Sequence, residues 1–147
     1  MVVANISRTH KVICHGDLVM KKVAGAIIIK DKSVLILRRS PDETFPGFWE
    51  FPGGKIEKGE TPENCLAREL KEELKIESIV KEFFHESIYE YAQGYIQLLT
   101  YIVEITKGCI QLTVHDKYEW ANKENLLNFE LLPADIPVAK KIMEVLI

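Results

Sequence analysis

Apolar positions in this chain switch between two periods, and each switch marks an element. Val23 to Ile29 and Val34 to Leu37 are short apolar runs, too short for ordinary helices, and are predicted as strands. The polar stretch Lys30-Asp31-Lys32-Ser33 separates them as a turn, and the second strand runs on to Arg39. Its unbroken apolar character implies burial on both faces. Ser40 to Phe48, with Pro41, Pro46 and Gly47, reads as a loop. Phe48-Trp49-Glu50-Phe51 is a short strand stopped by Pro52.

The period then becomes helical. Leu66, Leu70 and Leu74 form one apolar stripe, and Glu69, Glu72 and Glu73 fall within an arc of roughly 100° beside it. Thr61 is suited to cap this helix, Pro62 to its first position and Glu63 to its first turn. Beyond it, Ile79 to Tyr91 and Tyr95 to Ile105 read as strands joined through Ala92-Gln93-Gly94. Lys107-Gly108 begins a turn, Cys109 to Leu112 a further short strand, and Glu119-Trp120 another extended patch. Lys123 to Asn128 is expected to make one helical turn. Pro133 to Pro137 introduces a last helix through Leu146, with Val138, Ile142 and Val145 or Leu146 at helical spacing. Strands before, between and after two helices predict an α+β fold.

Composition sets the class. The chain has 147 residues with 47% apolar content, enough for one domain with its own core. A net charge of −3 gives no sign of affinity for a nucleic-acid polymer, which would favour a basic face. No apolar run approaches the ~20 residues needed to span a bilayer, and the N-terminus lacks the apolar segment of a signal peptide. Cys14, Cys65 and Cys109 are odd in number and without metal-ligand spacing. They are expected to be reduced thiols in a cytoplasmic protein. Residues 1–19 hold only the brief runs Val2-Val3 and Val12-Ile13-Cys14, and are expected to be an extension ahead of a single domain over 20–147. Met20 is a candidate native start.

Three carboxylates on one helix face repel one another, and a hard divalent cation would offset them. The preceding Gly53-Gly54 would let backbone come close to a metal or a phosphate. Taken alone, Glu-x-x-Glu-Glu also suits a solvated surface helix. The wider pattern is more specific: Gly54, five residues, Glu60, seven residues, then Arg68-Glu69-Leu70-x-Glu72-Glu73. This resembles the Nudix box of the Nudix hydrolases. One position departs, because Lys75 stands where the family has the glycine that ends the helix in a left-handed conformation.

The resemblance covers residues from about 20 to the C-terminus and implies an α/β/α sandwich around a mixed sheet. It implies Mg²⁺ as cofactor, with Mn²⁺ able to replace it. Gly53 (through its carbonyl), Glu69, Glu72 and Glu73 match metal-ligand positions, Glu69 being ligand or general base. Arg68 matches the arginine that orients a box glutamate, and Glu60 a loop-stabilising position. Arg38-Arg39, Glu50 to Glu57 and Leu132 to Pro137 resemble MutT-type nucleoside triphosphate pyrophosphohydrolases, which include 8-oxo-dGTP diphosphatases and CTP pyrophosphohydrolases.

That likeness implies substrate contacts for Arg39, Phe51, Lys55 and Asp135. Each has a plainer reading beside it: a surface arginine, a core phenylalanine, a solvated lysine, and a cap for the last helix. As a base reader Asp135 could accept from either a cytosine or a guanine edge. Asp116 and Glu119 are candidates for an extra acidic group, and His115 reads as an ordinary loop histidine. The expected activity is hydrolysis of a modified or surplus nucleoside triphosphate to monophosphate and pyrophosphate by a monomer or homodimer. The alternatives are a Nudix hydrolase for a nucleotide sugar or dinucleotide, and a nucleotide sensor without turnover.

Overall fold

Val34, Leu35, Ile36 and Leu37 are all fully buried, yet alternate side chains belong to different cores. Val34 and Ile36 join one cluster, and Leu35 and Leu37 the other. A strand buried on both faces must sit between two layers, and helices supply them. The computed structural model describes residues 20–147. The extension expected over 1–19, with its two apolar runs, lies outside the described residues.

The described chain runs β1 (Met20–Ile27), β2 (Ile29–Lys30), β3 (Ser33–Arg38), β4 (Trp49–Glu50), β5 (Gly53–Lys55), α1 (Pro62–Leu74), β6 (Glu77–Tyr91), β7 (Gly94–Lys107), β8 (Lys117–Asn122) and α2 (Ile136–Val145). Single tight turns at Leu126–Asn128 and Pro133–Asp135 precede α2. One sheet has the order β5-β1-β7-β6, parallel between β1 and β7 and antiparallel elsewhere. In the other, β3 pairs antiparallel with β2, β4 and β8. The core under α1 contains Cys65, Leu66, Leu70 and Leu74, and the core under α2 contains Val138, Ala139 and Ile142. Helices thus cover both sides of the two sheets, one mixed and one antiparallel. No helix among the described residues is long and apolar enough to cross a membrane.

Helix α1 begins as its sequence predicts. Thr61 Oγ1 accepts from the Asn64 N–H at 3.1 Å, and Pro62 occupies the first turn. It ends at Lys75, which takes the left-handed conformation (φ 60°, ψ 35°) with its N–H bonded to the Lys71 carbonyl. A side chain there is strained, because Cβ crowds the following carbonyl.

Cys109 to Leu112 does not form the expected strand. Its neighbourhood is used to finish α1: Gln111 N–H donates to the Leu74 carbonyl at 2.9 Å and Thr113 N–H to Glu73 at 3.2 Å. Those carbonyls have no partner inside the helix, so the passing backbone satisfies them instead of a ladder. The same contacts bring the segment after Thr113 back beside α1.

Candidate active site

The Gly-Gly turn is positioned by the edge of β1, where Gly53 pairs with Gly25 and Gly54 with Ala24. Gly53 has φ +149°, and a Cβ there would collide with the Ala24 carbonyl. A Cβ on Gly54 would occupy the space of the Glu69 carboxylate. The two glycines therefore do different work: one lets β5 approach β1, and the other leaves a cradle for Glu69.

Arg68 gathers the acids around this cradle. Its Nε and Nη2 donate to Glu60 at 2.7 and 3.0 Å, and Nη1 donates to Glu69 Oε2 at 3.1 Å and Glu72 Oε1 at 3.3 Å. Glu60 also accepts from the Glu57 backbone N–H at 3.0 Å, so it braces the loop as well as the arginine. Arg68 above all, and then that N–H, pull the Glu60 carboxyl down to about 2. Glu69 moves the other way, because burial disfavours its charge more than Arg68 favours it. Glu73 is pushed up to about 7, chiefly by burial and further by Glu69 and Glu50.

A cavity of about 620 Å³ opens beside these groups. Gly53, Glu69 and Glu73 line it, as do Arg39, Phe51, Lys55 and Asp135. Glu72 is not among the lining residues; its side chain is 61% exposed and held by Arg68. Phe51 combines its two readings, since it is buried in the core under α2 and also lines the cavity. Asp135 is buried and accepts from the Phe51 N–H at 2.9 Å through Oδ2. Its side chain does not cap α2. Burial, with Glu50 nearby, pushes its carboxyl well above the ordinary range.

Arg39 is more than a surface arginine. Nη1 donates to both oxygens of Glu50 at 3.1 and 3.0 Å, Nε to the Thr44 carbonyl, and Nη2 to the Thr44 hydroxyl at 2.9 Å. Asp116 and Glu119 are both absent from the cavity lining. Asp116 is turned to Arg38, at 2.8 and 3.2 Å, and Glu119 stands in β8 at 3.5 Å from Lys117. Cys65 and Cys109 are both free thiols, Cys65 buried and Cys109 exposed.

Two lining residues escaped the sequence reading. Glu50 sits in the short strand β4, and His115 Nε2 lies 2.8 Å from Glu50 Oε2. His115 is not an ordinary loop histidine, since its side chain is only 5% exposed. A carboxylate inside an aromatic strand was the available signal for Glu50. His115 had none, because contact across 65 positions cannot be read from local pattern.

The donor set suits a hard divalent cation: half-buried Glu69 and Glu73 on α1 and the Gly53 carbonyl, at a cradle that a Cβ would fill. Among the described residues, no three His, Cys, Asp or Glu side chains stand grouped as metal ligands. Arg68 supplies the neutralising charge for Glu69 and Glu72.

Comparison with known proteins agrees with this fold. A NUDIX domain family model matches residues 20–144. The CTP pyrophosphohydrolase of Escherichia coli K12 is 36% identical over 124 residues, covering 84% of this chain and 92% of that protein. The 8-oxo-dGTP diphosphatase of the same strain is 35% identical over 126 residues, covering 84% and 98%. Among solved structures, MutT of methicillin-resistant Staphylococcus aureus 252 superposes with a TM-score of 0.71 at 39% identity, covering 86% and 98%. The Escherichia coli ORF135 protein gives 0.76 at 34% identity, covering 88% and 93%. With a family model over residues 20–144 and relatives at 36% and 35% identity covered over 92% and 98% of their length, the chain belongs to the Nudix hydrolase family.

Proposed function

We propose that this Nudix hydrolase cleaves a nucleoside triphosphate to the monophosphate and pyrophosphate, with Mg²⁺ as its metal and Mn²⁺ able to replace it. The substrate is a modified or surplus nucleotide, of the 8-oxo-dGTP or cytosine type. The carrying observation is a single cavity that joins the acidic face of α1 to the buried carboxyl of Asp135. A nucleotide has the same two ends, an anionic one that needs a cation and a base edge that needs hydrogen-bond partners.

Glu69, Glu73 and the Gly53 carbonyl would hold the cation, with Glu72 joining from the Arg68 side. When bound, the cation neutralises phosphate oxygens and lowers the pKa of an attacking water. Arg68 holds Glu69 by Oε2, which leaves Oε1 for a water or the cation. Lys55 lines the cavity and supplies a point charge for a phosphate. Asp135 has Oδ2 engaged by the Phe51 N–H and Oδ1 left for a base edge. Ionised, it accepts; protonated, as its burial favours, it also donates.

The test is a panel of nucleoside triphosphates, nucleotide sugars and dinucleotides with Mg²⁺, followed by monophosphate and pyrophosphate release. Turnover of at least one triphosphate, abolished by a chelator, is expected. Cleavage of sugars or dinucleotides alone, or binding without turnover, overturns the proposal. In the same assay Glu72→Gln is expected to lower turnover at least ~100-fold, through lost metal charge and position.

A further inference from the structure

Glu50 is held from two sides. Arg39 Nη1 donates to both of its oxygens, and His115 Nε2 meets Oε2 at 2.8 Å. An ionised carboxylate accepts only, so Nε2 is the donor and Nδ1 carries no proton in the neutral ring. That Nδ1 is buried without a partner. An orphaned buried nitrogen has a cost, and the contact to Glu50 is the ring's one polar partner. Arg39 is tied on its other edge as well. Glu50 engages it through Nη1 and Thr44 through Nε and Nη2, and Glu43 stands 3.6 Å from Nη2.

A carboxylate offers about four lone-pair sites. Three on Glu50 are occupied, and the free one is on Oε1 of a side chain that lines the cavity. It can take a hydrogen-bond donor or a cation, which excludes a phosphate oxygen.

Its neighbours say which donor. On one side, Thr113 N–H is bonded to the Glu73 carbonyl, and two residues on His115 grips Glu50. On the other, the next residue after Glu50 is Phe51, whose N–H is bonded to Asp135. Glu50 therefore lies between the acidic face of α1 and the base-reading carboxyl. In a nucleotide, the group between the phosphates and the base is the pentose, and its hydroxyls are neutral donors.

We propose that Glu50 accepts a hydrogen bond from a pentose hydroxyl of the bound nucleotide, with Arg39 and His115 as the positioning residues that aim it. The assignment rests on the nucleotide reading above.

The test compares kcat/KM for one base presented as the ribo-, 2′-deoxy- and 2′,3′-dideoxynucleoside triphosphate. Wild type is expected to favour a hydroxyl-bearing sugar over the dideoxy sugar by ~10-fold or more, the size of one hydrogen bond to a charged group. The ratio should fall towards one in Glu50→Ala and in His115→Leu. His115→Gln, whose amide can donate to Glu50 again, should recover it. The ratio does not depend on how much enzyme is folded, and the His115 pair carries the test if Glu50→Ala does not fold. Triphosphate turnover with equal use of the dideoxy sugar, or an unchanged ratio in His115→Leu, overturns this assignment alone. Absence of turnover with every triphosphate overturns the proposed function and this assignment with it.

Discussion

The Asp135 carboxyl accepts a hydrogen bond from the Phe51 backbone N–H at 2.9 Å, joining residues 84 positions apart. It ties the entry of α2 to the strand that leads into the Gly-Gly turn. The acceptor is buried, so it satisfies a backbone donor that water does not reach. One buried side chain therefore both lines the cavity and fixes the strand that enters the glycine turn.

Asp135→Asn keeps an acceptor for Phe51 and removes the ionisable group. The folded-state pKa of Asp135 lies above its unfolded value, so the folded protein holds a proton that the unfolded chain has released. Stability from this group is full below the unfolded pKa and falls as pH rises from about 4 towards the folded value. The thermal midpoint of Asp135→Asn relative to wild type should rise over that interval. Parallel curves would mean that Asp135 is not held protonated.

Asp135→Ala instead leaves the Phe51 N–H without its partner, at a cost of about 1–3 kcal/mol. Base preference across the nucleotide panel should change more than the dependence on metal concentration. A uniform loss with every base would assign the residue to structure alone.

Arg68 contacts Glu60, Glu69 and Glu72 with a planar fork that lysine cannot reproduce. Arg68→Lys keeps the charge but is expected to lose about 10–100-fold in activity or metal affinity. Titration of Mn²⁺ binding alongside turnover separates the two losses. Wild-type values for both would mean that the fork is dispensable.

Gly54→Ala puts a methyl group where the Glu69 carboxylate lies. Displacing that carboxylate by about 1 Å is expected to cost on the order of 100-fold in kcat. Circular dichroism should show the fold retained, because Gly54 sits on the edge strand β5 rather than in either core.

Lys75→Gly removes the Cβ from a left-handed position at φ 60°. Relief of that strain should stabilise the protein by about 1 kcal/mol after glycine's extra unfolded-state entropy is counted. Urea unfolding should show a higher midpoint with an unchanged slope.

Sequence by itself determined what is local. The strands β1, β3, β6 and β7 follow from apolar period and turn residues, and α1 from its cap, proline and leucine stripe. The box acids were legible because one helix carries them at fixed angles. At Lys75 only the departure from the family's glycine was legible, and the structure takes the left-handed exit there at the cost of strain.

Tertiary structure decided what depends on distant backbone. Cys109 to Leu112 has the composition of a strand, but the segment it leads serves the open carbonyls of α1. Asp116 and Glu119 have the charge for the site, yet they face Arg38 and Lys117. Glu50 and His115 have no sequence spacing that links them; folding brings them to 2.8 Å at the cavity wall. Asp135, expected either to cap a helix or to read a base, gives its Oδ2 to Phe51. A hydrogen bond needs its two atoms within about 3 Å, and for residues far apart in the chain only packing sets that distance.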